Sequence, residues 1–210
     1  ALRSRREFLA VSDSGNAIHG RMHGLPADAV AQLEAAARAI RDGAGESARM
    51  HLDAVVARHR LHPEAWRLLG ILHSVSRRPA DAVNALRRAL ALRADDGLIH
   101  SDLGNAQAAL GEIDAAMSSW RRAAALAPEQ AMPWFNLGRQ HQLRGESESA
   151  VQVLTQAVAV DARFLPARIL LADALVHLGR FDAATAAYRA ALTVHPACGD
   201  AWRGLANIKT

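Results

Sequence analysis

Chemistry needs functional groups at workable spacings, and few pairs in these 210 residues offer one. His19 and His23 stand four apart, the spacing at which two imidazoles on one helix face share a metal. Gly20 and Gly24 interrupt that stretch, and glycine disfavours a helix, so the pair reads as surface histidines. His59 and His62 form an H-x-x-H, but two ligands do not close a tetrahedral zinc site. Glu112 and Asp114 are of the type used in acid–base catalysis, yet they fall in a turn between helices, where capping accounts for them. Cys198 is the single cysteine, which rules out an intrachain disulfide and fits a reducing, cytoplasmic location. No G-x4-G-K-S/T, G-x-G-x-x-G, H-E-x-x-H, C-x-x-C or G-x-S-x-G motif is present. The expectation is that this stretch holds no catalytic residue, no metal and no cofactor, and is not an enzyme.

Binding groups are another matter, and a period of 34 residues decides where they stand. The central unit is Gly97 to Gln130; shifts of 34 carry it onto Pro63–Asp96, Ala131–Phe164 and Leu165–Cys198. Position 7 of the units is Leu69, Leu103, Leu137, Leu171 and Leu205. Position 8 is Gly70, Gly104, Gly138, Ala172 and Ala206. Position 20 is Ala82, Ala116, Ala150 and Ala184, and position 27 is Ala89, Ala123, Ala157 and Ala191. Position 24 is Leu86, Trp120, Leu154 and Tyr188. Position 4 is Trp66, His100, Trp134, Arg168 and Trp202. An imperfect first unit, Ala29–His62, and the start of a further one, Gly199–Thr210, keep the register without insertion.

At about 100° per residue, positions 4, 7, 8 and 11 of a first helix share one stripe, and positions 20, 24 and 27 of a second helix share another. Gly or Ala at 8, 20 and 27 lets backbones approach, and larger side chains fill the space around them. No unit can bury its stripe alone, so neighbours must stack as antiparallel helix pairs. Gly111, Gly145 and Gly179, at position 15, suit a left-handed turn between the two helices. In Pro63–Asp96 that turn falls at Arg77-Arg78-Pro79, and in the first unit at Gly43-Ala44-Gly45.

This pattern resembles the tetratricopeptide repeat (TPR) family, whose units carry W-x2-L-G and then Ala, an aromatic or Leu, Ala and Pro at these offsets. The resemblance covers Ala29 to Thr210 and departs from the family at His100 and Arg168, where an aromatic is usual. It implies an all-α fold, a right-handed α-solenoid of TPR helix–turn–helix repeats, with a concave groove that takes proteins or peptides.

Positions 2, 5, 9 and 12 of each first helix point roughly 150° from the core stripe and are free to line that groove. They are Glu64, Arg67, Ile71 and Ser74; Leu98, Ser101, Asn105 and Ala108; Met132, Phe135, Arg139 and Gln142; and Pro166, Ile169, Asp173 and Val176. Position 6 adds Asp102 and Asn136. Exposed Leu98, Met132, Phe135 and Ile169 would invite a partner, and Asn105, Asn136 and Gln142 could hydrogen-bond its backbone. The competing reading is that some of these residues pack against neighbouring helices. The carboxylate clamp of chaperone-binding TPR domains has Lys at position 5 and Asn at position 9. Its nearest match, Arg203 with Asn207, has no further unit beyond it, so a chaperone C-terminus is not the expected ligand.

Residues 1–28 read as a leader and linker. Ser4-Arg5-Arg6-Glu7-Phe8-Leu9 looks like a twin-arginine export signal, but polar residues follow where an apolar stretch is required. Gly15 to Pro26 has the composition of a linker. The formal charge of +4 comes from arginines spread through the units, as in Arg87-Arg88 and Arg121-Arg122. They suit solvated helix faces, so neither nucleic acid nor membrane is an expected partner. The last residues, DAWRGLANIKT, resemble the junction in bacterial proteins that join a TPR array to a sulfotransferase domain using 3′-phosphoadenosine-5′-phosphosulfate. That implies a recruiting role for the array within such an enzyme. The alternative is self-association through the 199–210 end, where Trp202 and Leu205 keep an apolar pattern.

Overall fold

The period of 34 translates into helix pairs. A computed structural model describes residues 21–208, and among them lie eleven helices and no strand. They are α1 (Ala27–Asp42), α2 (Gly45–Arg58), α3 (Pro63–Val75), α4 (Pro79–Leu92), α5 (Gly97–Leu110), α6 (Ile113–Leu126), α7 (Ala131–Leu143), α8 (Ser147–Val160), α9 (Leu165–His177), α10 (Phe181–Val194) and α11 (Gly199–Ile208). The chain is all-α and built of the helix–turn–helix repeats of an α-solenoid. None of these helices is long and apolar enough to cross a membrane. The export-like motif and His19 lie outside the described residues.

The chain divides into two compact units, one ending at Ser119 and the other starting at Trp120. In the first, α1 packs on α2 and α3, α3 on α4 and α5, and α4 on α5. In the second, α7 packs on α8 and α9, α8 on α9, α9 on α10 and α11, and α10 on α11.

The small-residue positions fix this packing. Ala48, Ala82, Ala116, Ala150 and Ala184, all at position 20, are fully buried, as are Ala89, Ala123, Ala157 and Ala191 at position 27. A Cβ on Gly70 would lie 2.5 Å from Leu86 Cγ, and one on Gly138 2.4 Å from Leu154 Cγ. In these two pairs position 8 of the first helix therefore sits directly against position 24 of its partner, with no room for a methyl group.

The turns inside the pairs follow one rule. Gly43, Gly111, Gly145 and Gly179 have φ of 77°, 88°, 73° and 68°, the left-handed region that glycine enters without a Cβ penalty. Arg77 holds the same position with φ 58°, alone among the described non-glycine residues in having a positive value. Proline occupies the first turn of α3, α4 and α9, where its missing N–H is no loss. Asp96 caps α5, accepting from the backbone N–H groups of Leu98 and Ile99 at 3.0 and 3.2 Å.

The described part of the expected linker is not a plain spacer. Met22 is 2% exposed and belongs to the apolar cluster of Leu33, Ile40, Leu68, Ile71 and Leu72. The chain turns after it, with Leu25 N–H donating to the Met22 carbonyl at 3.2 Å and Gly24 at φ 87°, and then enters α1.

Candidate partner-binding surfaces

In the first unit, the stripe at positions 2, 5 and 9 of α3 is covered. Glu64, Arg67 and Ile71 are 0%, 2% and 5% exposed. Charge accounts for two of them. Arg67 donates to Glu64 at 2.7 Å and to Asp102 at 2.8 Å. Arg21 reaches the same cluster from the segment before α1: its Nε donates to Glu64 Oε2 at 2.7 Å. Its two terminal nitrogens donate to the two Asp96 oxygens at 3.2 and 2.7 Å. Arg93 adds a longer contact to Asp96 at 3.4 Å. Burial opposes the charged form of Glu64, but Arg67 and then Arg21 outweigh it and hold the carboxyl down at about 2. Asp96 is likewise lowered against its burial, chiefly by Arg21.

Arg67, Ile71 and Ser101 were expected to line an open groove; in this structure they are buried. Arg67 is consumed by carboxylates, and Ile71 joins the cluster that holds Met22. Leu98, Asp102 and Asn105 are half-buried. No sequence pattern marks Arg21 and Glu64 as a pair. They are 43 residues apart, and Arg21 stands in a segment without period.

In the second unit the corresponding stripe is more open. Arg139 is exposed, and Met132, Phe135, Gln142, Ile169 and Asp173 are half-buried, while Asn136 is buried. Phe135 leans on Phe164, with ring centroids 5.0 Å apart, and packs on the cluster of Ala150, Leu154 and Ala174. Part of the stripe thus serves local packing.

The rest opens into a cleft of about 460 Å³. Its walls are Gln142 of α7; Ile169, Asp173, Val176 and His177 of α9; Tyr188 of α10; and Asp200, Arg203, Gly204 and Asn207 of α11. Arg203 and Asn207, the position 5 and 9 pair, stand beside the expected Gln142, Ile169 and Asp173. The Tyr188 hydroxyl donates to Asp173 Oδ1. Burial, and then that bond to a carboxylate, raise the phenol, so Tyr188 remains a donor. A Cβ on Gly204 would lie 2.2 Å from the Tyr188 ring, so the absence of a side chain there lets the ring stand upright in the cleft wall. The cleft offers an apolar strip from Ile169 and Val176 flanked by donors and acceptors on both sides.

A second hollow, about 350 Å³, lies between α10 and α11. Thr185, Arg189, Leu192, Trp202, Leu205 and Ala206 line it, and Trp202 is 57% exposed.

Comparison with known proteins agrees with this architecture. Family models described as Tetratricopeptide repeat match residues 143–208 and, for a second model, 39–97, 70–131 and 101–167. Protein O-mannosyl-transferase TMTC1 of Mus musculus is 30% identical over 123 residues, which are 57% of this chain and 13% of that protein. The chain therefore spans a small fraction of that relative. Among solved structures, MamA 41-end from Desulfovibrio magneticus RS-1 superposes with a TM-score of 0.69 at 18% identity, covering 84% of this chain and 99% of that one. Pseudomonas aeruginosa pilF gives 0.76 at 15% identity, covering 90% of each. At these identities the likeness is one of fold.

Proposed function

Since this chain belongs to the tetratricopeptide repeat family, we propose that it is a non-catalytic scaffold that binds a protein or peptide segment along the inner stripe of its first helices. The observation that carries this is the cleft walled by Gln142, Ile169, Asp173, Arg203 and Asn207. An extended backbone needs alternating donors and acceptors with an apolar strip for its side chains, and the cleft supplies both. The test is selection of a displayed library of twelve-residue peptides on the chain. Selected peptides should lose at least about tenfold in affinity, or 1.4 kcal/mol, on Arg203→Glu with Asn207→Ala. Phe181→Ala, an exposed change on α10 outside the cleft, should leave them unaffected. Equal binding to all three chains, or no enrichment, overturns the proposal.

A second reading, self-association through the 199–210 end, draws on the hollow beside the exposed Trp202. Leu205→Glu should convert a dimer to a monomer in sedimentation experiments. A chain that is already monomeric at tens of micromolar removes this reading.

For the parent protein we extend the proposal to recruitment for a sulfotransferase domain that uses 3′-phosphoadenosine-5′-phosphosulfate. The support is the junction-like sequence Asp200 to Thr210. Reading the source gene past the Thr210 codon tests it: a phosphosulfate-binding loop supports the assignment, and further repeats or a stop remove it.

A further inference from the structure

The inner stripe of α3 is met by a segment of the same chain that precedes α1, around Arg21–Met22. That segment comes from 43 and 75 residues before the carboxylates it meets. Its two side chains divide the work. Arg21 donates from all three guanidinium nitrogens, pairing end-on with Asp96 through its two terminal nitrogens and singly with Glu64 through Nε. Met22 enters the apolar cluster formed by α1 and α3, among Leu33, Leu68 and Ile71.

The chemistry of the pocket selects such a guest. Glu64, Asp96 and Asp102 bring three carboxylates together; Arg67 pairs with Glu64 and Asp102, and the half-exposed Arg93 with Asp96, so two positive charges face three negative ones. Without Arg21, two carboxylates that are 1% and 5% exposed lose three hydrogen bonds and one balancing charge. Buried ions left in that state are costly, so the pocket calls for a cation. Two forked bonds to one carboxylate and a third to another match a planar guanidinium and not an ammonium. A turn follows the guest, in which Leu25 donates its N–H to the Met22 carbonyl at 3.2 Å and packs against the same cluster. His23 and Gly24 after it are exposed, and no atom approaches within 4 Å of where a Gly24 Cβ would stand.

We propose that the inner face of α1, α3 and α5 is a receptor for a protein segment carrying arginine followed by a large apolar residue. Arg21–Met22 is the resident copy of that segment, held in cis and displaced when a partner presents its own. A tether of this length gives the resident an effective concentration on the order of millimolar, so the intact chain resists micromolar competitors. The inference rests on the reading that the inner stripe takes chain segments, but it concerns a different pocket from the α7–α9–α11 cleft. Arg203→Glu and Asn207→Ala leave it untouched, so the two proposals fail separately.

The experiment vacates the pocket in the full chain with Arg21→Ala and Met22→Ala. A fluorescent peptide of sequence IHGRMHGLPA, matching residues 18–27, is then titrated by anisotropy. The vacated chain should bind it at least about tenfold more tightly than the unaltered chain. Replacing the peptide's arginine by lysine, or adding Glu64→Gln to the vacated chain, should remove about tenfold or more. Equal binding to the vacated and unaltered chains, or indifference to the peptide's arginine, overturns the proposal. A second form guards against a vacated chain that does not fold. In it a protease site is inserted at Gly24 and cut after folding. The freed segment should exchange with labelled peptide, faster as salt rises. Failure to exchange over hours marks the segment as a fixed part of the fold and overturns the proposal.

Discussion

Arg168 donates from Nε to the carbonyl oxygen of Ala162 at 2.6 Å, and this bond explains why an arginine can stand where the repeat pattern has tryptophan. Trp134 Nε1 donates to the Pro128 carbonyl at 3.1 Å, Trp66 to Arg60 at 2.7 Å and Trp202 to Pro196 at 2.9 Å. His100 Nε2 meets the Ala94 carbonyl at 2.9 Å. In the five units from Pro63 onward, position 4 supplies a side-chain nitrogen to the carbonyl six residues earlier. What the position requires is a donor of the right reach, and aromaticity is one way to carry it.

Trp134→Phe keeps the ring and removes the donor, so it should cost about 1 kcal/mol, the net worth of one such bond. Arg168→Ala should cost a similar amount and Arg168→Trp much less. Urea midpoints at an unchanged slope measure all three. A neutral Trp134→Phe would mean the bond is incidental.

Gly138→Ala should destabilise by about 1–3 kcal/mol, because the new methyl group meets Leu154 Cγ, a branch point that cannot swing aside. Adding Leu154→Ala should make the glycine change nearly silent, and a double-mutant cycle reads that coupling. Purely additive effects would contradict the contact.

Arg77→Gly should stabilise the chain by about 1 kcal/mol, since a left-handed backbone penalises any residue with a Cβ. Gly111→Ala should do the reverse by a similar amount. Its surroundings are open, so only backbone strain is at stake. Thermal midpoints of the two variants should move in opposite directions.

Stability should fall in acid through Glu64. Its carboxyl is held at about 2 in the folded chain against 4.5 as the reference value. Between those values the unfolded chain binds more protons, so stability rises with pH in that window. The contribution is complete above about pH 5 and lost progressively toward pH 2, at a limit of about 3 kcal/mol. Asp96, also lowered, adds to the same limb. Glu64→Gln should flatten the acid side of the profile. An unchanged acid limb would mean that Arg67 and Arg21 do not hold the charge.

The sequence showed most of the helix pairing because its determinants are local and repeat. Gly138 against Leu154, Ala150 at the helix contact and Gly145 in the turn each follow from position in a 34-residue frame. Function-bearing features were harder to see where the frame stops. Arg67 reads as a groove cation until Glu64 and Asp102 are found beside it. Met22 reads as part of a glycine-rich spacer until α1 and α3 close over it. Trp134 and Trp202 read as core filler, yet the first is half-buried and the second exposed, because their role is carried by Nε1. Arg67 with Asp102 and Arg21 with Asp96 join residues far apart in the chain, and no local pattern announces them.

The reach of position 4 also fixes a length. Each of these side chains must find a carbonyl six residues behind it, so the link between one helix pair and the next cannot grow without breaking the bond. The turns inside a pair carry no such constraint: Gly111, Gly145 and Gly179 face open space. An array of this kind therefore accepts inserted residues, tags or whole grafted loops within its pairs and refuses them between its pairs, so new surface can be added without altering the repeat spacing.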